Sequence, residues 1–301
     1  MLRIQDEILS SLREFLRKKG FIEIIAPIIG PVTDPGIRGA KQISIDYYGE
    51  EFKIMTSMIL YKQMAISSIK KIFAVSPCVR IEPEETIKTK RHLAEFRQVD
   101  IEEADATMQD SMRLSEEMLR YVIKRIRDKC SEELDFFGRK LHVPRIPFKR
   151  FYYRDVIEIV HSLGFTFRYG EEISHEAEEA LSKEFKEPFF ITHYPKQARG
   201  FYYLEDVDGT LKDFDLIYPE GFGEAISGGE REHEYERVKM RLESSKEDLS
   251  KYKMYLEMLK SGIPPSSGFG IGVERLTRYI CGLKTVWEAV PFPRIPGVIS
   301  I

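Results

Sequence analysis

Cysteine and tryptophan are scarce in this chain: three Cys and one Trp among 301 residues. Cys78, Cys130 and Cys281 stand far apart and form no CxxC pair. That argues against a disulfide framework and against a thiolate zinc site. An excess of one charge is also missing. Forty-six Lys and Arg against 49 Asp and Glu leave a net charge of −3. No net positive field is available for a bulk polyanion, and only local basic patches remain possible. Nowhere do about 18 apolar residues run together. The N-terminus, MLRIQDEILSSLREFLRKKG, carries charge in every turn and cannot serve as the apolar core of a signal peptide. A cytoplasmic protein that does not contact membranes is expected. Repeats, low-complexity tracts and composition shifts are absent too, so one domain is expected rather than two.

What is present is a globular composition, 43% hydrophobic and 32% charged. Ile4, Ile8, Leu9, Leu12, Phe15 and Leu16 fall on one helical face over residues 3–19, and Gly20 suits the stop. GFIEIIAP reads as a strand ending at Pro27. Residues 30–42, rich in Gly and Pro, read as a loop. Strands are expected at 43–48 and 52–55 and a helix over 57–70. Two short strand segments before residue 82 and a strand from Phe96 to Glu103 flank a charged loop, PEETIKTKRH, and make a long antiparallel hairpin. Helical spacing marks 108–134, 154–163, 174–186 and 231–260, the last broken near Ser244-Ser245. FFITHYP, GFYYLE and DFDLIYP look like strands, and residues 266–282 like a glycine-rich strand running into a helix. Strands clustered in hairpins with helices between clusters favour an α+β fold, an antiparallel β-sheet flanked by helices.

Four groups of residues carry chemistry. Alternation places Arg80 and Glu82 on one face. With Phe96 on the opposing strand they suit a nucleotide: Arg on phosphate, Glu on an amino edge, the ring against a base. Taken alone, a salt-bridged hairpin edge is the simpler account. GFGIGVER (268–275) offers glycines that permit close backbone approach and an arginine at the start of a helix. It is a GxGxG run, not a dinucleotide fingerprint, and tight helix-on-sheet packing explains it equally well. Asp215, Glu224 and Ser227 are hard oxygen ligands of the kind Mg²⁺ accepts beside substrate phosphates, and Arg231 can grip a carboxylate. A polar turn between strands is the plain alternative. Lys62, Asp100 and Glu102 form the last group; alone, Lys62 reads as a solvated helix lysine.

Together these groups, with GFIEIIAP upstream, resemble the three signature motifs of class II aminoacyl-tRNA synthetases. The likeness covers nearly the whole chain and is strongest to the aspartyl and asparaginyl subgroup, through RHLAEF, HYPKQARGFYY, FDLIYPEGFGEAISGGER and IPPSSGFGIGVERL. It implies the class II synthetase catalytic fold over 1–301, with a helical insertion at about 108–188. It implies ATP and Mg²⁺ as co-substrate and ion. Arg80 is expected on the α-phosphate and the reacting carboxylate, and Glu82 at the adenine amino group. Arg91 and His92 are expected at the β- and γ-phosphates, with Leu93 in the same loop. Phe96 stacks on adenine, and Gly272 and Arg275 complete the ATP site. Glu224 and Ser227 hold the metal, with Asp215 nearby.

For the amino acid, the resemblance implies Asp100 against the ammonium, with Lys62, Arg231 and Ser227 toward carboxylates. Two cations favour L-aspartate, since a neutral side chain leaves Lys62 poorly paired, at about 1.5–3 kcal/mol per charged hydrogen bond. The chain opens on the catalytic helix without the OB-fold expected to precede it, and the Arg80–His92 loop is longer than the family pattern. Thr33-Asp34-Pro35-Gly36 replaces a Glu-Gly-Gly stretch. These departures resemble the archaeal asparagine synthetases related to asparaginyl-tRNA synthetase. They imply an aspartate–ammonia ligase that adenylates the β-carboxylate of aspartate and amidates it with ammonia, releasing AMP and pyrophosphate. A homodimer is expected, and tRNA is not expected as substrate. Leu2 follows Met1, so no N-terminal cysteine is available to release ammonia from glutamine. Asp34 and Asp46 are the candidate general bases, and the sequence does not choose between them. The alternative is an aspartyl-tRNA synthetase-like enzyme, truncated or paralogous, that charges tRNA or modifies another macromolecule. A regulatory subunit without chemistry ranks third, because Arg80, Glu224 and Arg275 are all retained.

Overall fold

The computed structural model describes residues 1–35 and 39–299. Its elements in chain order are α1 (Leu2–Lys18), β1 (Ile22–Glu23), β2 (Ile29–Gly30), β3 (Ser44–Tyr47), β4 (Glu50–Ile54), α2 (Ile59–Ala65), β5 (Lys71–Val79), β6 (Glu95–Ala104), α3 (Met108–Lys129) and α4 (Ser131–Phe136). There follow β7 (Lys149–Tyr152), α5 (Tyr153–Ser162), α6 (His175–Lys183), β8 (Phe189–Thr192), β9 (Asp213–Tyr218), β10 (Gly223–Glu230), α7 (Tyr235–Ser244), α8 (Lys253–Ser261), β11 (Ser266–Gly272) and α9 (Val273–Cys281).

The main sheet has eight strands in the order β1-β5-β6-β11-β10-β9-β8-β7. Its centre is antiparallel, as expected, while both edges are parallel pairs, β1 with β5 and β7 with β8. The expected α+β class therefore holds, on a mixed sheet. Strands β5 and β6 form the long hairpin, paired from Lys71 opposite Glu103 to Val79 opposite Glu95.

Alternation along β6 decides what each face of the sheet does. Val99 and Ile101 point into the core, where Ile4 and Ile8 of α1 and Met112 and Leu119 of α3 cover them. Asp100 and Glu102 point the other way and are also fully buried. One face is thus closed by helices, and the other is a polar floor.

Four expectations are corrected. Residues 108–188 are not a helical insertion. Helix α3 lies in the main core, its start fixed by a Thr107–Asp110 capping box, and β7 extends the main sheet. Such a cap contributes about 1 kcal/mol. The charged loop after Arg80 contains a 3₁₀ turn, Glu84–Thr89. GFIEIIAP supplies only the two paired residues of β1, with Ile25 98% exposed. GFYYLE is not a strand: Tyr203 and Glu205 make isolated bridges to Arg231 and Leu211. Among the described residues no helix is long and apolar enough to cross a membrane.

Candidate active site

A cavity of about 570 Å³ sits on the polar face of the sheet. Of the residues singled out from sequence, Asp34, Lys62, Arg80, Glu82, Arg91, His92, Leu93, Phe96, Asp100, Glu224, Ser227, Arg231, Gly272 and Arg275 line it. Two do not. Asp46 lies exposed on β3, where its Oδ1 accepts the Gly49 N–H in a hairpin turn. It does not line the cavity and is not placed as a general base. Asp215 is buried on β9, with Oδ2 accepting from Arg199 Nη2 at 2.5 Å. Its charge is already answered by an arginine, so it is not placed as a metal ligand.

The floor comes from β6, β11 and β10. Gln98, Asp100 and Glu102 of β6 stand opposite Gly272, Gly270 and Gly268 of β11. A Cβ on Gly268 would fall 2.2 Å from Glu102 Oε2, and one on Gly270 would fall 2.2 Å from Gln98 Nε2. Here the glycine run makes room for polar side chains of the neighbouring strand. Close approach of backbone to ligand does not explain it at these two positions.

At the inner end lies a charged quartet. Lys62 Nζ, from α2, donates to Asp100 Oδ1 at 3.2 Å and to the carbonyls of Ile101 (3.3 Å) and Phe269 (3.0 Å). It also stands 3.7 Å from Glu102 Oε2. Asp100 Oδ2 accepts from the Ser76 hydroxyl. Arg231 donates to both oxygens of Glu102 through Nε and Nη2, at 3.0–3.3 Å, and Ser266 Oγ adds a bond of 2.9 Å. Glu102 and Tyr203 hold Arg231 well above its ordinary range against the opposing effect of burial, and the Tyr203 ring centroid lies 5.3 Å from the guanidinium carbon. Arg231 Nη1 is buried without a hydrogen-bond partner among the described residues.

Two cations and two carboxylates therefore cancel with no ligand needed. Lys62 does not lack a partner, and Asp100 already accepts on each oxygen. The partners of Asp100 and Lys62 in this structure come from the chain itself. Asp34, buried at 6% exposure, faces the cavity with Oδ2 accepting from Tyr202 at 3.1 Å. The loop around Asp34 includes residues 36–38, so the Gly36 of its motif lies outside the described residues.

At the outer end cations gather. Strand β5 stops at Val79, so Arg80 and Glu82 belong to the irregular chain beyond it, though both still reach the cavity. Arg80 lies over the Phe96 ring, 5.2 Å from its centroid, and donates from Nε to the Thr56 carbonyl. Arg275 Nη1 meets Glu224 Oε1 at 3.3 Å, and Arg91 Nη2 lies 4.0 Å from Glu224 Oε2. Arg91 Nε and Nη2 are buried with no hydrogen-bond partner among the described residues. Burial, then Arg91 and Arg275, push Arg278 down to about 10, which marks the concentration of positive charge. Burial, then Arg275 and His175, push His92 down to about 2. His92 is therefore neutral at physiological pH and contributes hydrogen bonding, not charge.

Sequence reasoning missed several lining residues: Arg199, Tyr202, Tyr203, Glu274 and His175. The first three lie within HYPKQARGFYY, where only the family likeness sets them apart. Among the described residues no group of three or more His, Cys, Asp or Glu could hold a metal. A single carboxylate, Glu224, with the Ser227 hydroxyl on the same strand suits Mg²⁺, which takes one or two carboxylates and completes its shell with substrate phosphates and water.

A family model described as tRNA synthetases class II (D, K and N) matches residues 1–296, and the chain belongs to that family. Its catalytic core is related to asparaginyl-tRNA synthetase. The asparagine–tRNA ligase of Desulforamulus reducens is 34% identical over 300 residues, covering 98% of this chain and 69% of its own length. That of Pyrococcus abyssi is 33% identical over 304 residues, covering 99% and 69%. The crystal structure of asparaginyl-tRNA synthetase from Pyrococcus horikoshii complexed with asparaginyl-adenylate matches with a TM-score of 0.92 at 30% identity, covering 99% of this chain and 69% of that one.

These relatives overturn two expectations. Proteins alike over nearly the whole chain are tRNA ligases, not aspartate–ammonia ligases, and tRNA is their substrate, so neither the ammonia-dependent synthesis of asparagine nor the exclusion of tRNA stands. The physical reason is that the motifs serve adenylate formation whichever acceptor follows. A longer loop beside Arg80 carries no information about that acceptor.

Proposed function

We propose that the chain activates asparagine with ATP as asparaginyl-adenylate and transfers it to tRNA. The observation that carries the choice of amino acid is the neutral quartet of Lys62, Arg231, Asp100 and Glu102, with Arg231 Nη1 left over. A balanced pocket suits an uncharged side chain, and one remaining N–H suits an amide oxygen. Asparagine–tRNA ligases among the relatives support the same reading.

In this reading Asp34 meets the ammonium and Arg80 meets the α-carboxylate and α-phosphate. Phe96 carries the adenine, with Glu82 at its amino edge. The carboxylate oxygen attacks the α-phosphorus, a C–O–P bond forms, and pyrophosphate leaves. Arg91 and Arg275 neutralise the charge gathering on the leaving group. Glu224 and Ser227 would hold Mg²⁺, which would supply further charge neutralisation on the phosphates. In the second step a tRNA hydroxyl attacks the adenylate carbonyl and AMP leaves. We place this activity in the cytoplasm, where charged tRNA is consumed.

One observation favours aspartate as a second reading: the leftover donor of Arg231 belongs to a cation. Pyrophosphate exchange separates the two. Purified protein with ATP, Mg²⁺ and labelled pyrophosphate is expected to exchange with asparagine. Exchange with aspartate alone overturns the amide assignment. Exchange without any aminoacyl-tRNA formed from total tRNA overturns the acceptor.

A further inference from the structure

Helix α6 lies outside the three signature motifs; its His175 lines the cavity, and one buried carboxylate of the same helix, Glu178, holds the lining residues Arg91 and Glu224. Glu178 is 4% exposed. Its Oε1 accepts from Arg91 Nη1 at 2.6 Å and from the backbone N–H of Glu224 at 2.5 Å. A single oxygen therefore ties together the arginine that follows the 3₁₀ turn and the first residues of β10. Gly223 completes the junction. Its φ is +74°, and a Cβ there would fall 2.5 Å from Arg91 Nη1 and 2.6 Å from Glu178 Oε1. The chain keeps this position empty so that the ion pair can pass.

The consequence for Arg91 is directional. With Nη1 held by Glu178, Nε and Nη2 are left buried and without hydrogen-bond partners among the described residues. Buried guanidinium donors without partners are costly, and an anion supplied from the cavity removes that cost. The nearest competing acceptor is Glu224 Oε2, at 4.0 Å from Nη2. Released from Glu178, Arg91 is free to turn onto Glu224 and close an ion pair across the place where polyphosphate enters.

We propose that Glu178 is a positioning residue that aims Arg91 at the polyphosphate of ATP and keeps it off Glu224. This rests on the nucleotide reading of the site given above, and it adds a residue from α6 to that machinery. Glu178 itself touches no reacting atom.

The test is calorimetric titration with ATP and Mg²⁺ in the absence of amino acid, so that it is independent of which amino acid is used. A charged hydrogen bond lost at Arg91 predicts that Glu178→Ala weakens ATP binding about tenfold. Glu178→Asp keeps the charge but shortens the reach, and it is expected to lose nearly as much. Glu178→Gln keeps an oxygen for both donors and is expected to stay within about threefold. In exchange assays the KM for ATP rises in the Ala and Asp variants while the KM for the amino acid does not move. A merely structural role lowers the melting temperature and the active fraction without changing affinity per folded molecule. Folded Ala or Asp variants that bind ATP like the parent overturn the proposal. Failure of the unaltered protein to bind ATP overturns the nucleotide reading beneath it instead.

Discussion

Glu274, the second residue of helix α9, lines the cavity and gives a sharp test of how burial and hydrogen bonding divide a carboxylate's energetics. Both of its oxygens accept from the Arg97 N–H, at 2.9 and 3.0 Å. Burial pushes it up to about 7, against the pull of the backbone N–H groups of Arg97 and of Glu274 itself. The unfolded chain titrates this group near 4.5. Because the folded value is the higher one, the folded state holds a proton that the unfolded state has lost between those limits. Stability from Glu274 is therefore full below about pH 4.5, declines as pH rises toward 7, and is flat above. At about 1.4 kcal/mol per pH unit the decline totals about 3 kcal/mol. In a chain of this length that corresponds to about 5 °C in Tm. The assay is calorimetric melting of the parent and Glu274→Gln from pH 5 to pH 8. Subtracting the variant cancels every other titrating group. The parent's advantage over Gln is expected to shrink by most of those 5 °C as pH rises. A constant difference refutes the reasoning. A difference of opposite slope means that the helix N-terminus and the two backbone donors outweigh burial.

Phe96→Ala removes the ring over which Arg80 lies and which the proposed function gives to adenine. Stacking of about 1–3 kcal/mol predicts a KM for ATP raised about tenfold or more, with the KM for asparagine unchanged in exchange assays. Arg199→Met leaves Asp213 and Asp215 buried without their shared cation. A loss of about 3–5 kcal/mol is expected in denaturant unfolding. Asp213, which burial already pushes up to about 7, makes that loss smaller at acidic pH, where protonation relieves it. Asp46→Asn changes an exposed hairpin residue, so stability is expected to stay within about 0.5 kcal/mol and exchange activity at the parent level; a large loss in exchange restores Asp46 to the site.

Periodicity made most of the architecture legible. Helix α1, the β5–β6 hairpin and the break between α7 and α8 follow from apolar spacing and turn residues alone. Strand β10 did not, although it pairs centrally with β9 and β11. GEAISGGE lacks the branched and aromatic residues that mark strands. Its glycines answer to neighbours: a Cβ on Gly228 would fall 2.5 Å from the Cβ of Phe269. GFYYLE erred the other way. Its aromatics suggest a strand, but Tyr202 and Tyr203 are buried beside the cavity wall and not spaced along a ladder. Such positions are fixed by tertiary packing, which leaves no period in the sequence.

The site residues were legible as types and misjudged as partners. A lysine and an arginine facing a pocket suggest a doubly anionic substrate only if their counter-charges come from outside the chain. Alternation already puts Glu102 on the face of Asp100, two residues earlier. Counting Glu102 makes the inner pocket neutral before any ligand arrives, and the distances bear this out, with Arg231 forked onto Glu102 and Lys62 on Asp100. The energetic case for aspartate then shrinks from a whole unpaired cation to one N–H of Arg231. A donor of that kind accepts an amide oxygen as readily in geometry as a carboxylate oxygen. What separates them is the net charge of the filled cavity. In the proposed reading Asp34 and Arg80 answer the two ends of a zwitterion, so an amide side chain leaves the balance at zero. A side-chain carboxylate in that buried space would add a charge with no cation assigned to it, and desolvating such a charge costs several kcal/mol.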